Sequence, residues 1–548
     1  MHHGPRWGTD YPFSRRDDLL SLVLLLLGSL VLLSGISLPL SDALPALYGK
    51  IAKNILASGD WVTLHHGTMR VVDKPPLTFW LMSLSFAAFG TSEWTLRGWH
   101  IGLALLTVLT TYALARLALS RLQALLSALI LLTSVQFFYE SLTPEQHVPL
   151  MLFVALAVYW HLRWERDGWT PAAILAWLAA ALAVLSIGIV GLVLPAVVIG
   201  VHLLLDRPKL PPRALPVATA GASAFILVAA PWFVVGALRQ GYPFIDTFFL
   251  GGTLGVGRYF HHVIVSPEPR VPWWAEVGIF LLVLPLMFQP WIGWFWPALR
   301  EGWEARRTRD SALSVCFLWV VAVLAFFSLS QGDKVGGYLM PMFPPLAVLA
   351  GSALTNPRWN RQALWVSLLV ALAVSLLLPQ YLWHHRDASR LAPLFLPAII
   401  CFLAAPIGYA IAAMMRRPQV ALALLVLGTL LSYSIAVTAI AHDWDRISPW
   451  RPLAAVIDRI PSQGARLFVV GQFNGFADFY IERPIEFAGF PTLVRAWQTG
   501  PVLAIVPSNS LLRLPAPAPR VLAETASGLT LIANFSVSPA SSLSIPRR

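Results

Sequence analysis

Charge is what this sequence has least of. Of its 548 residues only 12% are Asp, Glu, Lys or Arg, while 57% are hydrophobic. A soluble globular protein carries roughly 25% charged residues, so that class is excluded. Cysteine is nearly absent. Cys316 and Cys401 both fall inside apolar runs, which excludes a disulfide framework. There is no Walker loop and no internal repeat. Gly251-Gly252 and Gly255 to Gly257 have no strand before them, so they do not form a nucleotide fingerprint. A solute transporter built from repeated halves with broken helices is correspondingly disfavoured.

What the chain does have is long apolar runs, many near the roughly 20 residues needed to cross a bilayer. Hydropathy predicts about thirteen spans. They cover 19–39, 97–119, 122–138, 147–163, 170–186, 187–205, 214–238, 274–297, 311–330, 336–354, 362–383, 391–412 and 418–440. Leu19–Ser37 is too long for a signal-peptide core and is read as an uncleaved first span. The net charge of +12 does not point to nucleic acid, because the basic residues sit in short loops between apolar runs. With the N-terminus inside, six inner loops hold 15 of them, from Arg116 and Arg121 to Arg416 and Arg417. The short outer loops hold only Lys334, Arg386 and Arg390. This bias sets the N-terminus inside and the C-terminus outside.

Three segments break the regularity, all on the outer side: the loops 40–96 and 239–273 and the tail 441–548. In the first loop, Leu44–Ala57 has helical periodicity and Leu77–Phe89 is apolar but short; both read as helices lying at the interface. The tail holds short β-like runs at Arg466–Val470, Asp478–Ile481 and Leu503–Val506, with an amphipathic helix at Pro452–Ile460. This predicts a small α/β domain at 441–548 beside a membrane domain at 1–440 that carries the site in its first outer loop.

Ionisable groups at membrane depth are costly to place and are candidates for function. In the first loop these are Asp42, Asp60, Asp73, Lys74 and Glu93. Asp73-Lys74-Pro75-Pro76 presents a cation from a stiff backbone and suits a lipid-borne phosphate; a Lys that merely snorkels is the simpler reading. Glu140, Glu145 and His147 stand at the third-to-fourth connection. Asp246, Arg258, His261, His262, Glu268 and Arg270 lie in the next large loop, and Asp333, Lys334 and Tyr338 lie before span ten. Asp42 also has the look of a helix N-cap, and Asp60 that of a turn residue. Glu93 and Arg97 stand at pairing distance on a helix. Glu145, after Pro144, is either a helix-start residue or a proton acceptor.

Several of these stretches together resemble a known family. Ser58-Gly59-Asp60-Trp61-Val62, then Asp73-Lys74-Pro75-Pro76-Leu77 and Trp80, then Phe89-Gly90, Glu93 and Arg97, resemble the bacterial protein-mannosyltransferase-like family. Its best-known member adds aminoarabinose to lipid A. Phe326–Gly351 and the start of the tail, Pro449-Trp450 with Phe468–Tyr480, continue the likeness. The resemblance implies an α-helical polytopic GT-C glycosyltransferase with interfacial helices in the first outer loop and a small periplasmic α/β domain. It implies a sugar donor on a polyprenyl phosphate and inverting transfer at the outer face of a bacterial inner membrane. The acceptor is open: lipid A, another envelope glycan or a protein.

Position by position, Lys74 matches the family's phosphate-contacting lysine and Arg258 its second phosphate ligand. Tyr338 matches a tyrosine near the phosphate, and Tyr48 the tyrosine of the acidic element after span one. Lys334 stands beside this group. Asp73 matches an acid that helps hold a divalent cation, zinc or magnesium; no cofactor is read from the residues themselves. The chain departs from the pattern elsewhere. The places of the family's first acidic pair hold Leu44 and Pro45, with Asp42 two residues earlier. The family's second aspartate falls on Glu145 or His147, and its loop histidine is Thr253. Asp42 is the first candidate for the catalytic base and Glu145 the second. A relative that binds or moves a lipid-linked sugar without transferring it is the alternative.

Overall fold

The computed structural model describes residues 15–536, apart from 41, 67–68, 72–73, 251–272, 309–310, 330–335, 385, 462–463, 472–473 and 526. Ten helices occupy the first half of the chain. They are α1 (Arg15–Ser34), α2 (Ala43–Ser58), α3 (Leu77–Phe89), α4 (Glu93–Ala115), α5 (Arg121–Thr133), α6 (Val135–Leu142), α7 (His147–Asp167), α8 (Thr170–Ile187), α9 (Val190–Leu205) and α10 (Ala214–Gln240). A two-stranded hairpin, β1 (His65–His66) and β2 (Met69–Arg70), lies between α2 and α3. The membrane domain continues with α11 (Trp273–Met287), α12 (Phe295–Thr308), α13 (Ser311–Leu329), α14 (Phe343–Leu354), α15 (Pro357–His384), α16 (Arg386–Met414) and α17 (Pro418–Ile447). A 3₁₀ turn, Gly336–Met342, leads into α14.

Each of the thirteen expected segments falls on a helix or a pair of helices. By length and composition the helices support a smaller number. Among the described residues eight helices are long and apolar enough to cross a membrane, or nine if α5 and α6 count as one bent span. The reason lies in the short or charged ones: α9 has 16 residues, and α7 ends in the charged run Arg163 to Asp167. The chain is a multi-pass membrane protein whose core is one large apolar cluster running through the bundle.

The bend between α5 and α6 is 61°. Breaking a helix in an apolar medium exposes backbone groups that must find partners. Here Tyr433 Oη donates to the Thr133 carbonyl at 2.8 Å, and Val135 N donates to the Gln289 carbonyl at 3.0 Å. The bend turns Gln136 and Glu140 of α6 toward the start of α7.

The tail has its own cores and a five-stranded mixed sheet in the order β4-β3-β5-β7-β6. Its strands are β3 (Arg466–Val470), β4 (Ile485–Ala488), β5 (Val502–Pro507), β6 (Arg520–Glu524) and β7 (Leu529–Ala533). Its helices are α18 (Trp450–Ile457), α19 (Gly475–Tyr480) and α20 (Phe490–Thr499). The strand expected at Asp478–Ile481 is instead the end of α19. The Asn474 side chain caps that helix by accepting from Ala477 N, and Phe476, Phe479 and Tyr480 face the neighbouring cores.

The tail docks on the first loop. A Cβ at Gly49 would lie 2.5 Å from the Phe479 ring, so the bare glycine lets α19 approach α2. Leu40 N donates to Tyr480 Oη at 2.9 Å, and Trp444 Nε1 donates to the Leu40 carbonyl at 2.9 Å. At the opposite face Arg121 lies 3.6 Å from Asp18, which brings the starts of α1 and α5 together.

Candidate active site

Five segments meet at the end of the bundle nearest the tail. Asp42 caps α2: its Oδ1 accepts from Leu44 N at 3.0 Å. Arg97 of α4 is buried and does not form the expected side-chain bond with Glu93. Its guanidinium donates to the Leu142 carbonyl at 2.9 Å, to the Pro39 carbonyl at 3.0 Å and to the Leu38 carbonyl. Glu93 lies 3.6 Å from Arg451 of the tail. Arg97 therefore joins the segment leading to Asp42 with the end of α6.

At the α6–α7 junction, Gln136 Nε2 donates to Glu140 at 2.8 Å, and His147 Nδ1 donates to the other Glu140 oxygen at 3.0 Å. Glu145 lies 3.8 Å from the same His147 nitrogen. Behind them His100 Nδ1 meets the Ser141 carbonyl at 3.1 Å. The 3₁₀ turn closes on this group. A Cβ at Gly337 would sit 2.1 Å from His147 Nδ1, so only glycine fits there. Tyr338 then packs edge-on against His147 with ring centres 5.9 Å apart, and Phe327 stacks on it at 5.5 Å.

Lys74 follows the β1–β2 hairpin, with Pro75 and Pro76 buried after it and α3 starting at Leu77. The loop before it is tied down. Asp60 Oδ1 accepts from Val62 N at 2.9 Å and Thr63 N at 3.0 Å, and Arg239 of α10 binds it at 3.0 Å. Asp60 is the turn residue its sequence suggested. Trp80 Nε1 donates to the Trp61 carbonyl at 2.7 Å. The Lys74 ammonium acts electrostatically on both Glu145 and His147.

Electrostatics single out Glu145. Burial pushes its carboxyl up to about 7; His147 and Lys74 pull it down, while Glu140 and Asp42 push it further up. A carboxyl poised near neutrality can accept a proton, and a cation beside it can hold an anionic leaving group.

Lys74, Glu145 and Tyr338 thus surround His147, and Asp42 acts electrostatically on Glu145. Tyr48, 2% exposed, packs edge-on against Phe79 in the apolar core of the first loop. Asp73, Arg258, Lys334 and the pair His261-His262 lie outside the described residues. Among the described residues no three His, Cys, Asp or Glu side chains stand in a group that would hold a metal ion. The Glu140–His147 bond was not foreseen, although both residues stood among the candidates. His147 follows Glu140 by two helical turns' worth of chain, but a loop intervenes and hides the pairing.

Bundle, broken span, first-loop helices and docked sheet domain define a multi-pass membrane protein with a small α/β domain on its tail. The family model described as dolichyl-phosphate-mannose-protein mannosyltransferase matches residues 73–234. An uncharacterized protein of Aquifex aeolicus is 28% identical over 80% of this chain and 82% of its own length. An undecaprenyl phosphate-alpha-4-amino-4-deoxy-L-arabinose arabinosyl transferase of Pseudomonas aeruginosa is 30% identical over 56% of this chain. That match spans 54% of the transferase, so the chain covers about half the length of this relative. The crystal structure of ArnT from Cupriavidus metallidurans bound to undecaprenyl phosphate shares the fold, with a TM-score of 0.76 at 22% identity, over 94% of this chain and 98% of that one. The chain is thus similar in sequence to these arabinosyl transferases and shares the fold of ArnT.

Proposed function

We propose that this chain is an integral-membrane glycosyltransferase that moves a sugar from a polyprenyl phosphate to an envelope acceptor. The observation that carries the reading is the convergence of Lys74 with Glu145 and the Glu140–His147 pair at the tail-covered end of the bundle. In the reaction an acceptor hydroxyl attacks the anomeric carbon. A new C–O bond forms, the sugar–phosphate bond breaks, and the anomeric centre inverts. The polyprenyl phosphate leaves with the bonding electrons. Lys74, joined by Arg258, Lys334 and Tyr338, neutralises that leaving group. The carboxylate of Glu145 takes the hydroxyl proton. Glu145 is preferred over Asp42 because Asp42 already spends an oxygen on the α2 cap. Lipid A, another glycan and a protein all present suitable hydroxyls.

The same proposal puts the chain in a bacterial inner membrane, with its N-terminus cytoplasmic and residues 441–548 periplasmic. A divalent cation, zinc or magnesium, would have Asp73 as its ligand. The described residues offer it no ready donor set, so no step is drawn through it; loss of transfer on chelation and recovery with added metal would test it. The activity itself is tested by incubating membranes with a labelled undecaprenyl-phosphate sugar and following label into lipid A, glycan and protein fractions. Transfer in the wild type that disappears in Lys74→Ala supports the reading. The alternative, binding of a lipid-linked sugar without transfer, is favoured by the commitment of Asp42 to a helix cap. It predicts donor binding with no labelled product.

A further inference from the structure

The hairpin that leads to Lys74 is held from outside the membrane domain. Asp478 of α19 accepts from His66 Nε2 of β1 at 2.8 Å, and its second oxygen lies 3.5 Å from Lys50 Nζ of α2. One tail carboxylate thus bridges α2 and the hairpin, which also meet through the Asn54 Nδ2 donor on the His65 carbonyl at 3.0 Å. The group is well covered, with side chains of Asp478, His66 and Lys50 only 14%, 17% and 21% exposed. Lys53 adds a second tie, donating to the Phe479 carbonyl at 2.7 Å and to Glu482 at 2.8 Å. From the hairpin, Val71 N donates to the Leu64 carbonyl at 2.8 Å, and the chain then runs on to Lys74. Burial alone would raise the Asp478 carboxyl. His66 and Lys50 instead hold it below the ordinary carboxylate range, as expected of an ion serving two donors.

We propose that Asp478 is a positioning residue for the donor phosphate: by holding α2 and the β1–β2 hairpin together, it fixes the part of the first loop that precedes Lys74, and with it the place from which Lys74 reaches the leaving group. The proposal rests on the reading of Lys74 as a phosphate ligand. It gives the tail domain a part in donor binding without contact with the donor. Asp478 is needed for its charge and its two-sided reach, so Asn, which keeps the shape and loses the charge, should weaken the clasp, and Glu should restore part of it.

The test measures binding of undecaprenyl phosphate to the purified full chain in detergent, beside the melting temperature of each variant. Asp478→Asn should weaken binding by about ten- to a hundred-fold, the size of effect that small misplacements produce. His66→Leu, which removes the donor and so cuts the same clasp from the hairpin side without touching the tail, should act in the same direction. Glu486→Gln, which removes the exposed Arg466–Glu486 pair elsewhere in the tail, should leave binding unchanged. The deciding measurement repeats Asp478→Asn in a Lys74→Ala background. If Asp478 acts through Lys74, its cost vanishes there, because coupled residues do not add. An equal cost in both backgrounds, or no cost in the wild-type background, overturns the proposal. Should Asp478→Asn fail to fold, His66→Leu carries the same comparison. Failure of the wild type to bind undecaprenyl phosphate would instead overturn the underlying reading of Lys74.

Discussion

Glu145 and Glu140 face the same nitrogen of His147, at 3.8 Å and 3.0 Å, and the imidazole has one proton there to give. Glu140 takes it and Glu145 is left buried and incompletely compensated, so its carboxyl is pushed up to about 7. Only the ionised form can act as a base. Turnover should therefore fall as the pH drops through about 7 and level off above it. Glu145→Gln should cost about 10²–10⁴ in turnover and flatten that profile. A near-normal rate in Glu145→Gln would remove it from the mechanism.

Lys74→Ala removes a charge-assisted contact to the donor phosphate. Such contacts are worth roughly 1.5–3 kcal/mol, so donor affinity should drop about ten- to a hundred-fold. Titration of the variant with undecaprenyl phosphate reads this directly. Unchanged affinity would mean that the lysine only snorkels.

Asp42 is assigned here to structure. Asp42→Ala should lower stability by about 1 kcal/mol through loss of the cap, while Asn, also a good cap, should be nearly neutral. Thermal melting compares the two. Turnover of Asp42→Asn should stay near normal. A hundredfold loss in a stable Asp42→Asn protein would transfer the role of base from Glu145 to Asp42.

Gly337→Ala should be far more damaging than its size suggests. The added carbon would meet His147 Nδ1 at 2.1 Å, with backbone on one side and a bonded imidazole on the other. Either the turn or the Glu140–His147 bond must give way. We expect a clear fall in melting temperature together with loss of transfer; a stable, active variant would show that the turn can shift at little cost.

Reporter fusions test the orientation. A fusion at Arg307 should report the cytoplasm and one at Ile460 the periplasm. Equal signals at the two sites would refute the charge argument on which the topology rests.

Apolar length is a one-dimensional signal, which is why the long apolar helices could be placed from the sequence, down to a helix at 418–447 for an expected 418–440. The bend at Ser134 could not be seen, because the partners that stabilise it, Gln289 and Tyr433, are remote in sequence. Short apolar stretches are ambiguous between helix and strand, and Asp478–Ile481 went the wrong way because the cap at Asn474 decides it. At the site, costly charges were legible one by one: Lys74, Glu145 and His147 all stood out. Their pairing was not. Arg97, at ideal spacing for Glu93, serves three carbonyls instead, since in a buried setting helix and loop ends compete for a guanidinium as strongly as a carboxylate does.

That guanidinium has a consequence for any mutational survey of this protein. Because Arg97 grips the Leu38 and Pro39 carbonyls on one side and the Leu142 carbonyl on the other, it is the common suspension point for both acids under suspicion. Cutting it would let the Asp42 and Glu145 segments drift together. An inactive Arg97 variant would look catalytic in a screen that reads product alone, although its described hydrogen bonds go to peptide oxygens.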